Sequence, residues 1–302
     1  MPVATFLFSA LACLLVALGG RRDGSPRLSA AAIVMLLALP LLSLLPNLAV
    51  LPAAAGPAVE AAAGPSWATV VWTAGSLGLL ARLAGSLATL HRWRRRSERV
   101  GTWPTGGGRK AEIRRLDSLD GPVAAGILRP VIFVPAAWSH WSEEVRRVVL
   151  AHEGSHLVRR DPLWRTLGAL ACALHWFNPL VWWLVRRHAL QAEYACDALV
   201  LRAGVEPRHY ARLLCDFAEG RRTPPVPAPP MAGRSCLRSR VERLLAPPRA
   251  ISPTLTTFLV LTTVLAALAV SLLRRADPAP SAPVPPEEVR IRLSADPFPG
   301  NP

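Results

Sequence analysis

Four apolar runs govern what this chain can fold into. They cover residues 3–19, 30–52, 66–90 and 254–273. A helix crossing a bilayer needs roughly 20 consecutive apolar residues. Three runs lie before a long polar middle and one lies after it. With 51% hydrophobic residues and a mean hydropathy of +0.29, the expectation is a mainly α membrane protein of about four transmembrane helices. The polar middle then forms an α+β domain between the third and fourth spans. The predicted division is 1–90 for three spans, 91–250 for the polar domain, 254–273 for the fourth span and 274–302 for a short Pro-rich tail. Residues 220–234 contain P-P-V-P-A-P-P and read as a linker.

Charge orients the spans. Arg21, Arg22 and Arg27 follow the first run, while 53–65 holds no Lys or Arg and one Glu. The third run ends in H-R-W-R-R-R-S-E-R (91–99). By the positive-inside rule, 20–29 and 91–250 are cytoplasmic, and the N-terminus and tail are external. Nothing positive precedes the run at 3–19, so it reads as an uncleaved span rather than a signal peptide. Arg274 and Arg275 oppose this orientation but are outnumbered. Arg82 sits inside the third run and must snorkel or face protein. The net charge of +15 is read with the membrane, because arginines cluster beside the spans, as in segments drawn to anionic lipid. No nucleic-acid-binding motif is present, so membrane lipid and not nucleic acid is the expected partner. Cys13, Cys172, Cys196, Cys215 and Cys236 form no C-x-x-C pair and read as free thiols.

Within the polar middle, residues 151–161 read A-H-E-G-S-H-L-V-R-R-D. Residues four apart on a helix share a face. His152 and His156 can therefore grip one zinc ion, and Glu153 can take a proton from water at the metal. Ser142 is a natural N-cap and Asp161-Pro162 a natural stop. Catalytic zinc usually has a third protein ligand. Downstream, A-L-Q-A-E-Y-A-C-D-A-L-V presents Glu193 and Asp197 one helical turn apart among apolar residues. Glu193 is the candidate third ligand. Asp197 is the candidate acceptor for a ring N–H of a ligating histidine. The breaks at Asp161-Pro162 and Asn178-Pro179 allow the two helices to fold back on each other. His175, between them, reads as a buried, satisfied histidine in preference to a fourth site group. Cys196 falls between Glu193 and Asp197, where its thiol could touch the site, and reads as packing in preference. Residues 111–134 look extended, and I-L-R-P-V-I-F-V-P is rich in β-formers. An edge strand there could hold an extended peptide or could be purely structural. Residues 235–245 form a short basic amphipathic helix.

H-E-G-S-H-L-V-R-R-D, H-W-F-N-P-L-V-W and E-Y-A-C-D, preceded by G-P-V-A-A-G-I-L-R-P-V-I-F-V-P, together resemble the BlaR/MecR-type membrane metallopeptidases over residues 110–205. The resemblance implies a gluzincin-like zinc endopeptidase domain, with His152, His156 and Glu193 on zinc and Glu153 as acid/base. It sets Arg159 and Asp161 as a structural ion pair beside the site. It further implies a protein substrate such as a cytoplasmic transcriptional repressor. The family's best-known members carry an external penicillin-binding sensor after the last span. Here the 29 residues after 273 are too few for one, and the single lysine, Lys110, rules out a Ser-x-x-Lys motif. A membrane quality-control peptidase, or a non-catalytic signal transmitter with a structural zinc, would share much of this pattern. A homo-oligomer is compatible with it.

Overall fold

The computed structural model describes residues 8–14, 16, 26–42, 49–51, 67–105, 108–219, 234–245, 257–258, 261–262, 265 and 274–275. Most of the first and fourth apolar runs, the linker and the tail lie outside these residues. Two apolar helices precede the polar domain. Helix α1 runs Arg27–Leu42 and α2 runs Trp67–Arg96. Among the described residues only α2 is long and apolar enough to cross a membrane. Its 30 residues give about 45 Å at 1.5 Å per residue, against a hydrocarbon core of about 30 Å. Arg82 is exposed on it. The run at 30–52 is not one helix: α1 starts earlier, ends at Leu42, and Ala49–Leu51 forms strand β1, paired in parallel with Arg274–Arg275.

A four-stranded sheet follows α2 at once. Its strands are β2 (Glu98–Pro104), β3 (Lys110–Arg115), β4 (Val123–Ala125) and β5 (Val131–Val134), in the order β2-β3-β5-β4. Strands β2/β3 and β4/β5 are antiparallel and β3/β5 parallel. The extended reading of 111–134 thus resolves into three strands. Strand β2 had no sequence signal, because Gly101 and Pro104 interrupt any alternation. All four residues of β5 are buried. Ile132 and Val134 pack with Leu150 and Leu157 of the next helix, while Phe133 faces the opposite layer with Trp93 of α2. Strand β4 is left at the edge.

Five helices then build the remainder. Helix α3 (Glu143–Val158) is capped by Ser142, whose Oγ accepts from Val145 N at 3.3 Å. It ends where Arg160 turns into the left-handed region (φ 59°), so that α4 (Asp161–Leu174) starts in a new direction, with Pro162 in its first turn. Asn178 caps α5 (Pro179–Arg202) by accepting from Leu180 N at 3.0 Å. Helix α6 (Pro207–Glu219) follows, and α7 (Arg234–Leu245) comes after the linker.

The α4–α5 hairpin docks on the N-terminal helices. His175 Nε2 donates to Leu36 O at 3.0 Å, Asn178 Nδ2 donates to Ser9 Oγ at 2.9 Å, and Trp72 Nε1 donates to Leu174 O at 3.0 Å. Gly75 leaves room for the Trp176 indole. Phe8, Ile33, Leu36, Val181 and Leu184 fill the interior. Burying side chains of this size contributes about 1.5–3 kcal/mol each. The H-W-F-N-P motif is therefore a joint between the apolar helices and the hairpin that carries Glu193.

Candidate metal centre

The fold-back of α3, α4 and α5 brings His152, His156 and Glu193 together, with one potential ligand atom from each inside a 4.8 Å span. His152 Nε2 lies 3.4 Å from Glu193 Oε2, and His156 Nε2 lies 3.5 Å from Glu193 Oε1. These separations are long for hydrogen bonds. Each imidazole nitrogen faces a different oxygen of the one carboxylate, which leaves the three side chains turned toward a common point. The two imidazoles stand edge to face, centroids 4.9 Å apart. The donor set suits a divalent metal such as zinc.

Both histidines are held from behind. His156 Nδ1 donates to Asp161 Oδ2 at 2.8 Å, and Asp161 is 1% exposed. Arg159 Nε approaches the same oxygen at 3.4 Å. Asp161 thus does more than pair with Arg159, because its shorter bond is to His156. Cys196, read from sequence as packing, puts its thiol 3.3 Å from His156 Nδ1 and 3.7 Å from Asp161 Oδ2. His152 Nδ1 meets the Tyr210 hydroxyl of α6 at 2.9 Å, with Asp197 Oδ1 farther away at 3.4 Å. Asp197 is bonded to Tyr210 at 2.8 Å and, in two-pronged fashion, to Arg240 of α7 at 2.6 and 2.8 Å. Arg240 also reaches Glu193 Oε2 at 3.2 Å, and Arg165 lies 3.6 Å from Glu193 Oε1.

Tyr210 and Arg240 escaped the sequence reading. Their helices share no spacing with the motif, and only the closing of α6 and α7 over α5 brings them in. The helical spacing of Tyr210, Leu213 and Leu214, which bury against Val148 and Val200, was the available signal. His175 lies on the Leu36 carbonyl instead, as a satisfied buried histidine.

The electrostatics follow from this crowding. Burial alone would lower the affinity of His156 for a proton, but the Glu193 charge and the Asp161 bond outweigh it and hold its pKa well above the usual imidazole value. Burial would raise Glu193, yet His156, His152 and Arg240 hold its carboxyl well below the usual range. Burial and Asp197 push the Tyr210 phenol upward.

Glu153, on the same helix, is 8% exposed, and its Oε2 accepts the Ala124 N–H of edge strand β4 at 2.8 Å. Gly154 is also explained. A methyl group there would overlap the indole nitrogen of Trp103 from β2. The glycine lets the sheet lie directly on the motif helix, which offsets its helix cost of about 1 kcal/mol.

A helix carrying H-E-x-x-H, a second helix supplying a glutamate, and a mixed sheet whose edge touches the motif's glutamate define a metallopeptidase site. The chain belongs to the BlaR1 peptidase M56 family, whose model matches residues 58–244. The regulatory protein BlaR1 of Bacillus licheniformis is 34% identical over 110 residues, covering 36% of this chain and 18% of that protein. The match thus spans less than a fifth of this relative's length.

Proposed function

We propose that the chain is an integral-membrane zinc metalloendopeptidase that hydrolyses peptide bonds of a cytoplasmic protein in a signalling step such as repressor inactivation. The carrying observation is the pair of 3.4 and 3.5 Å separations between the His152 and His156 Nε2 atoms and Glu193. Both Nδ1 atoms are engaged elsewhere, which turns the two Nε2 atoms toward the glutamate. His152, His156 and Glu193 would hold the zinc. The ion, when bound, polarises the scissile carbonyl and acidifies water at about neutral pH. Glu153 takes a proton from the attacking water and returns it to the leaving amine. Asp161 holds His156 in place, and Asp197 acts on His152 through Tyr210.

The substrate would lie as an extended strand along the outer edge of β4, a general mode of peptide recognition. Ala124 of that edge is bonded to Glu153, so a peptide there runs past the base. The word regulatory in the relative's name supports a signalling role. The arginine distribution supports a cytoplasmic site, and the exposed apolar helix α2 supports a membrane span. The pairing of Ala49–Leu51 with Arg274–Arg275 is in keeping with both segments emerging on one side. Glu153 beside the cluster speaks against a purely structural zinc, which needs no base.

The test is purified full-length protein in lipid nanodiscs, assayed for bound zinc and for cleavage of a protein substrate. Glu153→Gln keeps its zinc and loses cleavage, while Glu193→Ala loses zinc. Undiminished cleavage by Glu153→Gln sinks the mechanism. A protease-accessible tag placed at residue 222 in inside-out vesicles, cleaved only there, tests the orientation.

A further inference from the structure

Tyr210 and Arg240 come from two helices outside the H-E-x-x-H and E-x-x-x-D segments, yet both converge on the cluster. The hydrogen-bond logic of their contacts is closed. Arg240 grips both oxygens of Asp197, at 2.8 and 2.6 Å, in the planar fork that only arginine offers. Asp197 is 3% exposed, and both of its oxygens accept from that guanidinium. The Tyr210 hydroxyl, 2.8 Å from Asp197 Oδ1, must therefore donate its single proton to it. The Tyr210 oxygen, 2.9 Å from His152 Nδ1, is then left to accept. His152 must carry its proton on Nδ1, which leaves the Nε2 lone pair facing Glu193. Arg240 also touches Glu193 Oε2 at 3.2 Å, so one guanidinium fixes the two acidic groups of α5 one turn apart.

We infer that Tyr210 and Arg240 are positioning residues of the metal centre, setting the tautomer and orientation of His152 and the placement of Glu193 through Asp197. The inference rests on the zinc reading above. It makes the docking of α6 and α7 a condition for a competent site. Helix α7 stands between the linker and the apolar run at 254–273, so displacement of α7 would withdraw Arg240 from both carboxylates. Outer partners of a metal-ligating histidine typically change metal affinity by about 10- to 100-fold when removed.

The experiment measures zinc affinity by competition with a chromophoric chelator, and the visible absorption of the Co2+-substituted protein, using full-length protein in nanodiscs. Tyr210→Phe removes one oxygen and keeps the ring. Arg240→Gln removes the fork and keeps a polar chain. Far-UV circular dichroism verifies folding of each. The expected result is zinc affinity lowered about tenfold or more in both, with a shifted Co2+ spectrum. Unchanged affinity and spectrum in Tyr210→Phe overturn the inference while leaving the zinc reading standing. Tighter zinc binding by Arg240→Gln also overturns it, since Arg240 would then compete with the metal for Glu193. Absence of zinc binding in the unaltered protein removes the underlying reading and the inference with it.

Discussion

Glu153 has two separable duties, and two substitutions pull them apart. Its Oε2 accepts the Ala124 N–H at 2.8 Å in a buried setting, and it is the proposed base. Glu153→Gln retains an amide oxygen for Ala124 but cannot take a proton. Its expected loss is about 10²–10⁴ in turnover, or about 2.7–5.4 kcal/mol at 1.36 kcal/mol per decade. Glu153→Ala loses the base and also orphans a buried backbone N–H, which costs about 1–3 kcal/mol of stability. For a domain of 150–250 residues, each kcal/mol moves the melting temperature by about 2–4 °C. Glu153→Ala should therefore melt roughly 2–12 °C below Glu153→Gln, while both are equally inactive. The assay is tryptophan fluorescence on heating, paired with substrate cleavage. Equal melting temperatures for the two variants would refute the structural duty, and residual cleavage confined to Glu153→Gln would refute the chemical one.

Three further outcomes follow from the same contacts. Burial alone would raise the Glu112 carboxyl, but the Arg114 and Arg94 guanidiniums overcome it and hold it below its ordinary value. A depressed folded pKa gives stability that is present above the unfolded value of about 4.3 and lost as pH falls through the folded one. Glu112→Gln should therefore be less stable than the parent at pH 6, with the gap closing toward pH 3 in urea titrations; a constant gap would contradict this. His175→Ala should keep full zinc content and lose about 1–3 kcal/mol of stability, because it leaves the buried Leu36 carbonyl without the His175 N–H; zinc loss would place it in the site. Cys196 is fully buried and its thiol is pushed up chiefly by burial. It should resist alkylation at pH 8 until the protein is unfolded, as mass spectrometry of the labelled peptide would show.

Local signals made much of the site legible. Ser142, Asp161-Pro162 and Asn178-Pro179 marked helix ends because capping and proline chemistry act within a few residues. The i, i+4 pairs His152/His156 and Glu193/Asp197 were legible because helical spacing alone puts each pair on one face. What was not legible depends on separation in sequence. Asp197 binds Arg240 from 43 residues away, and the Tyr210 hydroxyl inserts itself between Asp197 and His152 across two helices. No period records such contacts. Strand β2 was hidden for a different reason: its Gly101 and Pro104 are poor strand formers, and pairing with β3 sustains it. The run at 30–52 looked like one span because apolarity does not distinguish a helix from the short strand at Ala49–Leu51.

The contact between Gly154 and Trp103 reaches beyond stability. The two middle letters of H-E-x-x-H are usually treated as free. In this chain the first is dictated by an indole from a strand some fifty residues upstream. Positions 103 and 154 are therefore expected to drift together in evolution, a bulky ring facing a glycine or a smaller side chain facing something larger. A transplant of the eleven-residue motif into another scaffold would need that ring, or a void in its place, to seat the helix.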